Sequence, residues 1–175
     1  HVGEGADELF AGYGNYALMN DFHRSLYAPF RGLPYSVKNL VLQTADLILP
    51  ESKVEYINRA TLNQELFWGG AVVFSESSKQ RVMNEYIDQK IYSNVIEPYY
   101  EEYDSRFTKS SFLDRAIHID LKHRLPELLL MRVDKMSMAA SIEARVPFLD
   151  EDLVGLANSI PSELKYKSGI TQYIL

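Results

Sequence analysis

Apolar residues return every three or four positions along most of this chain, and prolines break the runs into helix-sized pieces. That spacing lines up one face of an α-helix, whereas the strict alternation of a half-buried strand is scarce. From Asp7 the pattern Leu9, Phe10, Tyr13, Tyr16 and Ala17 predicts a helix, weakened at Gly12 and Gly14. Pro34 and Pro50 bracket a second helix of about three to four turns, with Val37, Leu40, Val41, Leu47 and Ile48 as its apolar face. Ser77 stands three residues before Gln80, a capping-box spacing, and Val82, Tyr86, Ile87 and Ile91 carry that helix toward Pro98. Ser111 and Asp114 open another, with Leu113, Ala116, Ile117 and Leu121 on one side as far as Pro126. Asp150 is the expected N-cap of a last helix, with Leu149 and Val154 as a staple. Leu153, Leu156, Ala157 and Ile160 form its inward stripe, and Pro161 ends it. With no repeat, low-complexity tract or flexible linker, residues 1–175 are expected to form a single, mainly α domain or subdomain.

Composition excludes several kinds of protein. The chain has 175 residues, 46% of them apolar, which is enough for a folded core. A net charge of -6 and a pI near 5.2 argue against nucleic acid as a partner. There is no cysteine, hence no disulfide, thiolate nucleophile or Cys-bound metal, which fits a reducing compartment and points to the cytoplasm. The most apolar stretch, Leu66 to Phe74, is too short to cross a bilayer, and no membrane segment is expected. His118 and His123 are five apart, off the spacing that pairs two ligands on a helix, so no zinc site is read. Met131, Met136 and Met138 are expected in gaps between helices, and the tyrosines at core edges. The chain opens at His1 without an initiator methionine, which reads as a piece of a larger protein.

The chemistry-bearing stretch is the first one, HVGEGADELFAGY. Gly3 and Gly5 allow the backbone to turn N–H groups toward an anion at a helix start. Carboxylates beside them would repel that anion unless a divalent cation lies between, and Mg²⁺ is typically held by one or two carboxylates plus phosphate oxygens and water. Asp7 is then the natural metal ligand and Glu4 a candidate general base. The competing reading makes Asp7 and Glu8 ordinary complements of a helix dipole.

A second stretch, LPELLLMRVDKMSMAASIEARVPFLD at 125–150, decides between them. Together with GEGADELFAGY at 3–13 it closely resembles the synthetase domain of the asparagine synthase family, the glutamine-hydrolysing asparagine synthetases and their amidotransferase relatives. The resemblance extends over essentially all 175 residues. It implies the helical C-terminal portion of an α/β ATP-pyrophosphatase-type synthetase domain, with the parallel sheet largely missing. It implies ATP and Mg²⁺ as cofactors, and a carboxylate substrate such as aspartate, adenylated by ATP and then attacked by ammonia. On the matching positions it places Asp7 at Mg²⁺-pyrophosphate, Glu4 at the proton transfer, and Gly3 and Gly5 in the turn that carries both. Arg132 is read as a charge clamp near substrate or phosphate, with Asp134 orienting such a base. Arg145 and Asp150 are expected instead as a structural pair fixing a loop, Asp150 also capping its helix.

The departures are as specific as the matches. Val2 stands where relatives usually have Ser, and Ala11 where they often have Gly. Gln172 occupies the place of a family Lys that stabilises phosphate and acyl charge. Losing one such electrostatic donor commonly costs about 10²- to 10³-fold in rate, and Lys165 and Lys167 are the nearby candidates to replace it. The family's Ser-Gly-Gly-x-Asp-Ser loop and its N-terminal glutaminase Cys are not in these residues. The expected partners are therefore the N-terminal part of the synthetase domain and a glutaminase domain, with a homo-oligomer left open. On its own this portion is expected to be inactive. The alternatives are a relative forming another amide or a lactam, or a degenerate helical binding module.

Overall fold

The computed structural model describes residues 1–70, 72–83, 90–108 and 111–175. The path is α1 (Ala6–Phe10) and α2 (Gly14–Phe22), running through a π-helical stretch His23–Tyr27 into α3 (Ala28–Arg31). Then come α4 (Tyr35–Ile48), α5 (Glu51–Thr61), α6 (Glu76–Val82) and α7 (Lys90–Arg106). Helix α8 (Phe112–Ile119) continues through a wide π-helical stretch, Asp120–Leu130, into α9 (Met131–Ala139). A 3₁₀ turn, Pro147–Leu149, leads to α10 (Glu151–Ser159) and α11 (Ser162–Lys165). Strands β1 (Tyr166–Lys167) and β2 (Ile170–Thr171) pair antiparallel, Tyr166 opposite Thr171. Among the described residues the sheet is confined to this hairpin, so the mainly α expectation holds. No described helix is long and apolar enough to cross a membrane.

Local chemistry accounts for several boundaries. The Ser111 hydroxyl accepts from the Asp114 N–H while the Asp114 carboxylate accepts from the Ser111 N–H, the reciprocal box expected there. Asp150 caps α10 through the N–H groups of Asp152 and Leu153. Other boundaries differ from expectation. The first predicted helix is two, because Ala11 takes a left-handed conformation (φ 55°) and ends α1. Helix α6 begins earlier than Ser77, capped by the Ser75 hydroxyl on the Ser78 N–H. The side chains of Ser77 and Gln80, and residues 84–89 of the same predicted helix, lie outside what is described. Pro98 sits inside α7 and Pro126 inside the π-helical stretch, so neither terminates its helix.

Two apolar clusters form the core. The larger gathers Tyr16, Tyr27, Leu66, Phe67, Tyr100, Phe112 and Ile117, the smaller Leu9, Phe10 and Ala157, and Leu121 packs against both. Tyr16, Tyr27 and Tyr100 sit in the core, with Tyr13, Tyr56, Tyr99 and Tyr166 at its edge and Tyr35 and Tyr173 exposed; Tyr27 donates to the Gln64 carbonyl and Tyr100 to that of Phe67. The methionines do otherwise. Met131, Met136 and Met138 are exposed on α9, which buries no residue among those described.

Candidate active site

The two sequence motifs, more than 110 residues apart in the chain, meet in space. The Val2 N–H donates to the Arg145 carbonyl at 2.9 Å. Gly5, at φ 94°, caps α1 in a region that L side chains rarely enter. A Cβ on Gly5 would also strike the Leu149 side chain, its Cγ at 2.9 Å. Glycine is thus demanded twice at this position, by backbone angle and by the approach of PFLD. Gly3 has open space before it, with nothing within 4 Å of a notional Cβ.

Asp7 lies half-buried in the first turn of α1, and its Oδ1 accepts from Nε2 of Gln172 at 3.0 Å. Gly12 is the floor under this contact. A Cβ there would overlap Asp7 Oδ1 and sit 2.6 Å from Gln172 Nε2, while the Gly12 N–H donates to the Asp7 carbonyl at 2.8 Å. Gln172 is delivered by the β1–β2 hairpin, whose Ser168 (φ 50°) and Gly169 (φ 88°) are both left-handed, as a two-residue I′ turn requires. The residue in the place of the expected lysine therefore touches the residue read as metal ligand. Lys165 and Lys167 do not replace it there. Lys165 is buried, which lowers its pKa, with Asp114 as the charge that opposes the shift, and Lys167 lies over the Tyr173 ring at 5.0 Å.

The other predicted residues are placed differently. Glu4 is half-buried, and its carboxylate has no hydrogen bond or ion pair among the described residues. Arg132 and Asp134 are exposed on α9, and no described hydrogen bond or ion pair joins Arg132 to Asp134 or to the elbow. Arg145 does not pair with Asp150; its exposed guanidinium meets Glu143 at 2.6 Å.

Beneath the elbow lies a buried polar cluster that sequence reasoning missed. Glu8 accepts from the Tyr13 hydroxyl at 2.8 Å. Asp120 accepts from the Tyr16 hydroxyl at 2.6 Å and from the Gly70 N–H at 2.8 Å. The Arg124 guanidinium stands between, 3.9 Å from Glu8 and 3.7 Å from Asp120, and over the Tyr13 ring at 4.4 Å. Its Nε is buried with no hydrogen-bond partner among the described residues. Burial raises the pKa of both carboxyls against the opposing pull of these donors and of Arg124. The cluster ties α1 and α2 to the helix that follows α8, and so sets where Asp7 stands. Its only sequence sign was the tyrosines at 13 and 16 on the helical period of the elbow.

Among the described residues no group of three or more His, Asp or Glu side chains forms a metal cage. Asp7 keeps one oxygen, Oδ2, without a hydrogen bond among the described residues, which fits the one or two carboxylates that Mg²⁺ takes when phosphates and water supply its other ligands. A cavity of about 850 Å³ borders the β1–β2 hairpin and one of about 250 Å³ lies by Arg59 and Trp68; Glu4, Asp7 and Arg132 line neither.

A helical scaffold that sets an acidic glycine elbow against a PFLD loop brings together the two motifs on which the family resemblance rests. The family described as asparagine synthase matches residues 2–175, and the chain belongs to it; its domain is of the ATP-pyrophosphatase type. The chain is 35% identical over 177 residues to the glutamine-hydrolyzing asparagine synthetase 1 of Bacillus subtilis, covering 99% of this chain and 26% of that protein. Proteins of Mycobacterium bovis and Mycobacterium tuberculosis whose names also carry asparagine synthetase (glutamine-hydrolyzing) are 32% identical over 179 residues, with the same coverage. The chain thus spans about a quarter of the length of these relatives. No solved structure matches it.

Proposed function

We propose that these residues form part of an ATP-dependent, amide-forming ligase of the asparagine synthetase type, acting on aspartate through an acyl-adenylate. The observation that carries this reading is the contact of the GEGAD elbow with the ARVPFLD loop through Val2, Gly5, Arg145 and Leu149. Two motifs that match the family separately in sequence are here one structural unit.

In this reading Asp7 would hold Mg²⁺ through Oδ2, which has no hydrogen bond among the described residues, and the metal would supply charge neutralisation for the leaving pyrophosphate. Gly3 leaves room for the nucleotide to approach the backbone. Glu4 takes the proton that ammonia must lose as the C–N bond forms. Arg132, exposed on α9 with no ion pair among the described residues, is assigned the role of charge clamp. The rest of the synthetase domain, with its Ser-Gly-Gly-x-Asp-Ser loop, and a glutaminase domain supplying ammonia complete the enzyme. Dependence on ATP fits a cytoplasmic setting. A relative making another amide or a lactam would share the adenylation chemistry and differ in its acceptor.

Incubating the full-length polypeptide with ATP, Mg²⁺, aspartate and ammonia tests the proposal. Asparagine, AMP and pyrophosphate in equal amounts are expected. Formation of ADP and phosphate, or no turnover with aspartate, would contradict it; AMP formation with a different carboxylate would move the assignment to the lactam-type relative.

A further inference from the structure

Two residues with side chains, Ala11 (φ 55°) and Gln172 (φ 51°), hold left-handed backbone on either side of one contact. Such conformations cost free energy in any residue with a Cβ, and they persist where the surroundings fix them, often at functional sites. The contact they flank is the hydrogen bond from Gln172 Nε2 to Asp7 Oδ1, 3.0 Å long and joining positions 165 apart.

Both sides are built for it. The Ala11 and Gly12 N–H groups donate to the Asp7 carbonyl, so the turn after α1 closes back on the residue that carries the carboxylate. Gly12 leaves the space in which carboxylate and amide meet. On the other side, the Gln172 carbonyl accepts from the Leu175 N–H at 2.9 Å, and the Tyr173 N–H donates to the carbonyl of buried Lys165 at 3.1 Å. The amide is thus carried on backbone that is itself tied down.

An amide N–H on one carboxylate oxygen occupies that oxygen and restrains rotation of the group. Oδ2 is then presented in one direction, with no hydrogen bond among the described residues. The donor is neutral, so the carboxylate keeps its charge for a cation. We propose that Gln172 is a positioning residue, which holds the Asp7 carboxylate so that Oδ2 alone faces a divalent cation. This rests on the reading of Asp7 as metal ligand. It gives the β1–β2 hairpin a part in the site that is exerted through Asp7 and requires no contact with substrate.

The test measures binding to the full-length polypeptide without turnover: calorimetric titration with Mg²⁺-pyrophosphate, and with metal-free pyrophosphate in chelator. Gln172→Met keeps the side-chain length and loses the donor. It is expected to weaken Mg²⁺-pyrophosphate about tenfold or more, as a hydrogen bond to a charged group is lost, and to leave metal-free pyrophosphate within about twofold, since the amide acts only through the metal ligand. Gln172→Ala is expected to do the same. Both contact residues are half-buried, so melting temperature should move by no more than about 3 °C. Asp7→Asn is expected to lose Mg²⁺-dependent binding, and Gln172→Met added to it to change nothing more. Unchanged Mg²⁺-pyrophosphate affinity in Gln172→Met beside a loss in Asp7→Asn would overturn the role of Gln172 alone, as would a full further loss in the double variant. Binding indifferent to Asp7→Asn would overturn the metal reading itself, and this proposal with it.

Discussion

A methyl group on Gly12 would occupy the space now held by the Asp7 carboxylate and crowd the Gln172 amide. Both are ends of mobile side chains, so Gly12→Ala is expected to leave Tm within about 3 °C of the parent, a cost under about 1 kcal/mol. Displacing Asp7 by even an ångström should nevertheless lower kcat roughly 100-fold. Steady-state kinetics beside a melting curve separates the two effects. Gly5→Ala is the opposite case, because a left-handed backbone and Leu149 both refuse the methyl. A loss of at least about 2 kcal/mol is expected in urea unfolding, while Gly3→Ala, with open space before it, should be near neutral. The need for glycine at 5 was legible as a tight turn. The reason for Gly12 was not, since it depends on Gln172, 160 positions away.

At the scale of elements, contacts within one turn of a helix were readable and those between helices were not. The Ser111–Asp114 box and the Asp150 cap involve groups three residues apart or fewer, which residue types alone determine. For α4 the period correctly gave a helix and an apolar face, but periodicity says nothing of which face meets the protein. The buried face is won by Lys38, whose ammonium donates to the Asn63 side chain at 2.7 Å and to the Ala60 and Arg31 carbonyls at 3.2 and 3.3 Å. Those carbonyls close the C-terminal ends of α5 and α3, where a cation is favoured. Lys38→Met should therefore destabilise the α4–α5 hairpin by about 2–3 kcal/mol, as buried acceptors lose a charged donor, measured by equilibrium unfolding. The β1–β2 hairpin was also missed, although its Ser168-Gly169 pair is a turn signal.

Across the whole molecule, the buried cluster joins the elbow to the core and gives stability a pH dependence. Asp120 holds its proton more tightly when folded than its ordinary value of 3.8. Its stabilisation is full below that value and is lost as pH rises through the higher folded pKa. Asp120→Asn cannot titrate, so its urea midpoint should fall less steeply than the parent's on going up from acid to neutral pH. The central claim, however, is chemical: Asp7 serves the departing pyrophosphate and Glu4 the later proton transfer. Aspartate-dependent exchange of labelled pyrophosphate into ATP, catalysed by the full-length polypeptide, tests it most directly. Asp7→Asn is expected to abolish exchange, and Glu4→Gln to retain exchange while losing asparagine formation. Exchange undiminished by Asp7→Asn would contradict the account.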